Sequence, residues 1–181
     1  MDTNILFFLN LLFSGSKGKN RKYVYICSPL KADTQFGINL NMRAARVYMT
    51  HIADKMGYGA KAPHAYLPEY LDDNVPSQRA MALSYGLRVL EQSDMMFVCG
   101  DRLSVGMRGE IAHAVKLGIP ITVFSRKLYI EICEAVKGCG GDTGKVMHDM
   151  LHPILSLSAT QLFDSGYIKP EGGLCFANSK G

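Results

Sequence analysis

Three short apolar runs, spaced by segments of helical period, constrain this chain more than any other feature. KYVYICS (Lys22–Ser28), MMFVCG (Met95–Gly100) and ITVFS (Ile121–Ser125) are bounded by turn residues, and the first is rich in β-branched and aromatic side chains, as buried strands are. Asn39–Tyr58 places Leu40, Ala44, Val47, Met49, Ile52 and Met56 broadly on one side and meets Gly57 near its end, the pattern of an amphipathic helix. Ser77–Gln92 and the 107–117 region repeat that pattern. The stretch Ala60–Pro76 is punctuated by prolines, so it predicts a short second strand followed by a loop over the sheet. Alternation of this kind with short links predicts an α/β fold: a doubly wound, mainly parallel sheet, a flavodoxin-like or Rossmann-like three-layer sandwich. Beyond Arg126 the pattern predicts a helix over Leu128–Lys137 and another near Lys145–Leu151.

In such a sheet, ligands bind beyond the carboxyl ends of the strands, where the winding reverses. The loops after Cys27 and after Gly100 are therefore expected to share one pocket. With 181 residues the chain suffices for one cored domain, divided here into residues 1–20 (an apolar segment and basic linker), 21–140 (the α/β domain) and 141–181 (a C-terminal helical extension and tail). The formal charge of +4 is mild, and basic residues cluster only in SKGKNRK, so no long stripe marks a nucleic-acid groove. Five scattered cysteines without a C-x-x-C pair read as reduced thiols of a cytoplasmic protein, neither a disulfide frame nor a zinc site. The apolar run Ile5–Phe13 is too short to span a bilayer and lacks the preceding positive charge of a signal peptide. It is expected to dock on the domain or on a partner subunit.

The stretch LSVGMRGEIAHAVKLGIP (Leu103–Pro120) follows a strand and opens a helix, where backbone amides usually face an anion, yet it carries the carboxylate of Glu110. YVYICSP followed by SDMMFVCGDRLSVGMRGEIAHAVKLGIPITVF resembles the nucleoside 2-deoxyribosyltransferase superfamily, including its deoxynucleotide N-glycosidase branch. PHAYLPEYLDD and GM-x-x-E-I-x-x-A are similar to its phage and bacterial domains. The resemblance runs from about Tyr23 to Phe124 and implies N-glycosidic chemistry on a nucleoside or nucleoside 5′-monophosphate. It makes Glu110 the nucleophile at the anomeric carbon and Tyr25 the residue that orients it. Ser104 takes the place of a phosphate-contacting serine, and Ser28, Pro29, Gly106, Met107 and Gly109 line the ligand loops. A carboxylate suits an oxocarbenium-like transition state, and a helix N-terminus would help keep it ionised.

Each position has a plainer explanation. Glu110 could complement a helix dipole, Ser104 could be an N-cap, and Tyr25 could be strand packing. One departure from the family pattern falls at Gly86, eight residues before Asp94, where relatives carry an aspartate that binds the substrate or assists leaving-group protonation. His64, Asp72 or Asp73 could stand in for it, and Arg79 could reach a phosphate. Without that acid, a nucleotide-binding or sensing module that has lost turnover is the alternative function. His148 and His152 have i, i+4 spacing, but Pro153 and the lack of a partnering glutamate argue against a metal pair. His113 reads as structural. No metal or organic cofactor is implied, relatives form homo-oligomers, and no membrane or nucleic-acid partner is expected.

Overall fold

Strand β1 (Tyr23–Cys27) is buried along almost its whole length because both of its faces are covered. In the computed structural model, which describes residues 21–170, it sits inside a five-stranded sheet. The run Ile5–Phe13 and Cys175 lie outside the described residues. Strand order is β2 (Gly59–Lys61), β1, β3 (Met95–Val98), β4 (Ile121–Val123), β5 (Val146–His148), with every pair parallel. The doubly wound parallel sheet predicted from the alternation is thus the observed fold.

Alternation along β1 distributes its side chains to two cores. Val24 and Ile26 face α1 (Gln35–Met56) and the C-terminal segment, joining Leu40, Tyr48, Ile52, Phe97, Leu155 and Leu162. Tyr25 and Cys27 face the other way and join residues of α2 (Pro76–Glu91), α3 (Val105–Leu117) and α4 (Arg126–Gly138). The winding therefore reverses between β1 and β3. Local chemistry sets the helix ends: the Thr34 hydroxyl accepts from Gly37 N–H at 3.1 Å to start α1, and Gly57, at φ 73°, stops it in a left-handed conformation. Asp94 fixes the start of β3 beside β1, its carboxylate accepting from Tyr23 N–H at 2.7 Å.

The helix expected near Lys145–Leu151 is replaced by β5. Three residues are too few for periodicity to register, and as an edge strand β5 leaves Met147 54% exposed, so its apolar residues mimic a helical face. Beyond it, Pro153–Ser156 forms a 3-10 turn and Ala159–Asp164 forms α5. This segment is packed onto the α1 layer: Tyr48 Oη donates to Leu157 O at 2.6 Å, and Leu155, Leu162 and Ile168 are buried. Among the described residues, no helix is long and apolar enough to cross a membrane.

Candidate active site

Residues two apart on a strand point the same way, so Tyr25 and Cys27 both approach α3. On α3, Met107 and Glu110 lie one turn apart and share the face turned toward β1. The outcome is a hydrogen bond across 85 residues of sequence: Tyr25 Oη donates to Glu110 Oε1 at 3.0 Å. The Cys27 thiol contacts Met107 O at 4.0 Å and also interacts with the Glu110 carboxylate.

Burial of its carboxyl end pushes the Glu110 pKa from 4.5 to about 7, against the opposing pull of hydrogen bonds from Cys27 and Tyr25. The direction differs from the expectation that a helix N-terminus keeps it ionised. Glu110 stands in the second turn of α3, where the dipole has largely decayed, and desolvation prevails. Burial, then the charge of Glu110, raises the Tyr25 and Cys27 pKa values, so both remain protonated donors.

A second polar pair lies on neighbouring strand tips. Ser28, just past β1, and His64, in the 3-10 turn Pro63–Ala65 after β2, share a 2.7 Å hydrogen bond between Oγ and Nε2. Burial drops the His64 pKa to about 4, so its imidazole is neutral at physiological pH. Gly86 lies buried in α2, and a Cβ built there would sit 3.5 Å from Tyr25 Oη with nothing else among its neighbours within 4 Å. The position singled out by counting back from Asp94 is thus in contact range of the Tyr25–Glu110 pair.

Other expected residues have different occupations. The Ser104 hydroxyl caps α3, accepting from Met107 N–H at 3.3 Å. Asp73 and Arg79 form a 3.0 Å ion pair in which both side chains are about half exposed. Asp72 accepts from Asn74 N–H at 2.8 Å and organises its own turn. Gly106 and Gly109 are exposed on α3, while Met107 is buried. His113 meets Glu91 at 3.1 Å, consistent with a structural role. His148 stacks on Tyr129, whereas His152 pairs with His51 at 3.2 Å; the two do not converge. No group of three or more metal-ligating side chains exists among the described residues. Cys27, Cys99, Cys133 and Cys139 are all free.

The loops after β1 and β3 do share a cavity, of about 240 Å³, lined by Pro29, Ala32, Gly100, Asp101 and Arg102 together with α1 and Ser158–Thr160. It opens on the α1 side. Of the expected ligand residues only Pro29 lines it; Tyr25 and Glu110 belong to the opposite face. We place the candidate active site at the carboxylate, because a shifted acid among hydrogen-bond donors carries chemistry that an empty hollow lacks. Cys27 was the residue missed from sequence; its signal was the two-residue strand period from Tyr25.

Fold and site together define a doubly wound α/β protein with a desolvated glutamate held by a strand tyrosine at the point where the winding reverses. The chain belongs to the family described as a domain of unknown function, DUF7768, whose model matches residues 22–124. That span closely follows the resemblance read from the sequence. Among solved structures, the chain is similar to the 2-deoxyribosyltransferase of the psychrotolerant bacterium Bacillus psychrosaccharolyticus at 18% identity, with a TM-score of 0.46, covering 57% of this chain and 72% of that one. No curated protein matches the chain.

Proposed function

We propose that this protein cleaves or transfers at the N-glycosidic bond of a nucleoside or nucleoside 5′-monophosphate, with Glu110 as nucleophile. The observation that carries the reading is the 3.0 Å bond from Tyr25 Oη to Glu110 Oε1, which fixes the carboxylate beside the strand. A Glu110 oxygen bonds to the anomeric carbon as the C–N bond breaks. The electron pair leaves on the base nitrogen, which takes a proton from water, and a glycosyl ester remains. Water then adds at the same carbon, loses its proton to solvent and frees the carboxylate; in transfer, a nitrogen of a second base adds instead. Ser28 and neutral His64 offer hydroxyl and imidazole contacts to the sugar or base. Ser104 and the first turn of α3, at Gly106–Gly109, flank the side where a 5′ group would lie.

The nucleophile must be ionised, and its pKa is raised to about 7, so turnover rises with pH through neutrality and levels off above it. Chromatography of nucleosides and 5′-monophosphates incubated with the protein, with and without an acceptor base, tests this. Free base should form with the native chain and be lost in Glu110→Gln. Equal release by both would end the reading.

A second reading, a nucleotide-binding module without turnover, is favoured by Gly86, which offers no acid to the leaving base beside Tyr25. Thermal stabilisation by nucleotides with no base release would select it.

A further inference from the structure

The most informative position outside the polar groups themselves is Gly86. It lies within the interior of α2, where glycine is a poor helix former relative to alanine. Packing does not demand it: the nearest atom to a built Cβ is Tyr25 Oη at 3.5 Å, an ordinary contact. The backbone does not demand it either, because Gly86 is not among the glycines with positive φ. What the missing side chain leaves is a recess against one particular oxygen.

That oxygen has a defined hydrogen-bonding state. Tyr25 spends its only proton on Glu110 Oε1, so its remaining capacity is as an acceptor. A group filling the recess must therefore donate. A carbon attacked by Glu110 would lie about 3 Å from the carboxylate, so the substituent next to it falls within reach of Tyr25 Oη. Hydrogen bonds to a hydroxyl beside the anomeric carbon strengthen as the oxocarbenium character develops.

We propose that Gly86 is a specificity-determining position, its recess admitting a sugar hydroxyl adjacent to the anomeric carbon as donor to Tyr25 Oη, so that the site prefers ribo- over 2-deoxyribonucleosides. This rests on the glycosidic reading of Glu110 and adds to it a sugar preference that the sequence resemblance leaves open. A methylene at the same sugar position would leave the recess without a donor. An alanine at position 86 would fill the recess with a methyl group.

The experiment measures base release by the full chain at pH 8 from adenosine, guanosine, cytidine and uridine, and from their 2′-deoxy counterparts, for the native protein, Gly86→Ala and Glu110→Gln. Native kcat/KM should favour the ribonucleosides by at least about tenfold, the scale of one lost hydrogen bond in a site built for it. In Gly86→Ala that ratio should fall toward one or below, with a melting temperature equal to or above native. Because the readout is a ratio, a general loss of folded protein does not imitate it. Glu110-dependent release that is equal or faster from the deoxy substrates overturns the inference while the glycosidic reading stands; so does an equal loss on both sugar series in Gly86→Ala. Release from neither series by folded protein removes both.

Discussion

The two faces of the sheet differ in kind. Under α2, α3 and α4, a carboxylate, a phenol and a thiol are packed together with almost no exposed surface on Tyr25 and Cys27. Across the sheet, α1 and the C-terminal segment enclose about 240 Å³ beneath the strand tips, walled by Leu40, Ala44, Tyr48 and the loops after β1 and β3. One face sets a partly buried carboxylate against buried donors; on the other, the charged groups Asp101 and Arg102 stand exposed beside the cavity. That cavity and the shifted carboxylate thus lie on opposite faces of the sheet. A perturbed acid costs stability, and a fold that retains one gives a stronger sign of chemistry than a hollow does.

The sharpest way to break this contrast is Glu110→Gln. On the proposed reading, base release should fall by at least about a thousandfold, the scale on which covalent nucleophiles act. Stability supplies an independent readout. Glu110 has a folded pKa above its unfolded value, so the native state holds its proton more tightly. Stability is then greatest below about pH 4.5, declines as pH rises toward about 7, and is flat beyond. The span is on the order of 3 kcal/mol. Urea unfolding at pH 5 and pH 8 should show this loss in the native protein and much less of it in Glu110→Gln.

On the opposite face, Leu162→Ala should cost about 2–4 kcal/mol by emptying a fully buried site, while leaving the pH dependence that arises from Glu110 in place. A shifted pH midpoint in that variant would show that the two faces are coupled. Tyr25→Phe removes one donor to the carboxylate. The Glu110 pKa should rise further, moving the acid limb of the rate profile to higher pH and lowering turnover at pH 7 by about ten- to a hundredfold. Gly100→Ala tests the cavity side: φ is 94° and the new Cβ would lie 3.2 Å from Pro29 Cδ, so a loss of about 1–3 kcal/mol is expected in thermal melts. Arg79→Ala should change stability by no more than about 0.5 kcal/mol, as its partner Asp73 is a half-exposed surface acid.

Much of this architecture was legible before any coordinates. β1, β3 and β4 are central strands, so their sequences are continuously apolar and stand out from their surroundings. β5 was not legible because an edge strand of three residues carries too little pattern to register. In the site, Tyr25 and Glu110 were singled out by the family resemblance, and the strand and helix periods account for their meeting. The contact between Ser28 and His64 could not be read in the same way. It depends on how the turn Pro63–Ala65 folds back over the tip of β1, and no local propensity encodes that. Asp72, Asp73 and Arg79 are the converse: chemically suitable residues engaged locally, Asp72 with Asn74 and Asp73 with Arg79.

The backbone bond from Gly100 N–H to Leu155 O, at 2.8 Å, joins the tip of β3 to a residue some thirty positions past the family-matched span. A fragment trimmed to residues 22–124 would surrender that tether along with β5. The hydrogen-bonding rim of β4 would then be bare and the α1 layer uncovered, which is the arrangement that invites strangers to pair edge to edge. Such a fragment should precipitate where the longer chain stays dispersed.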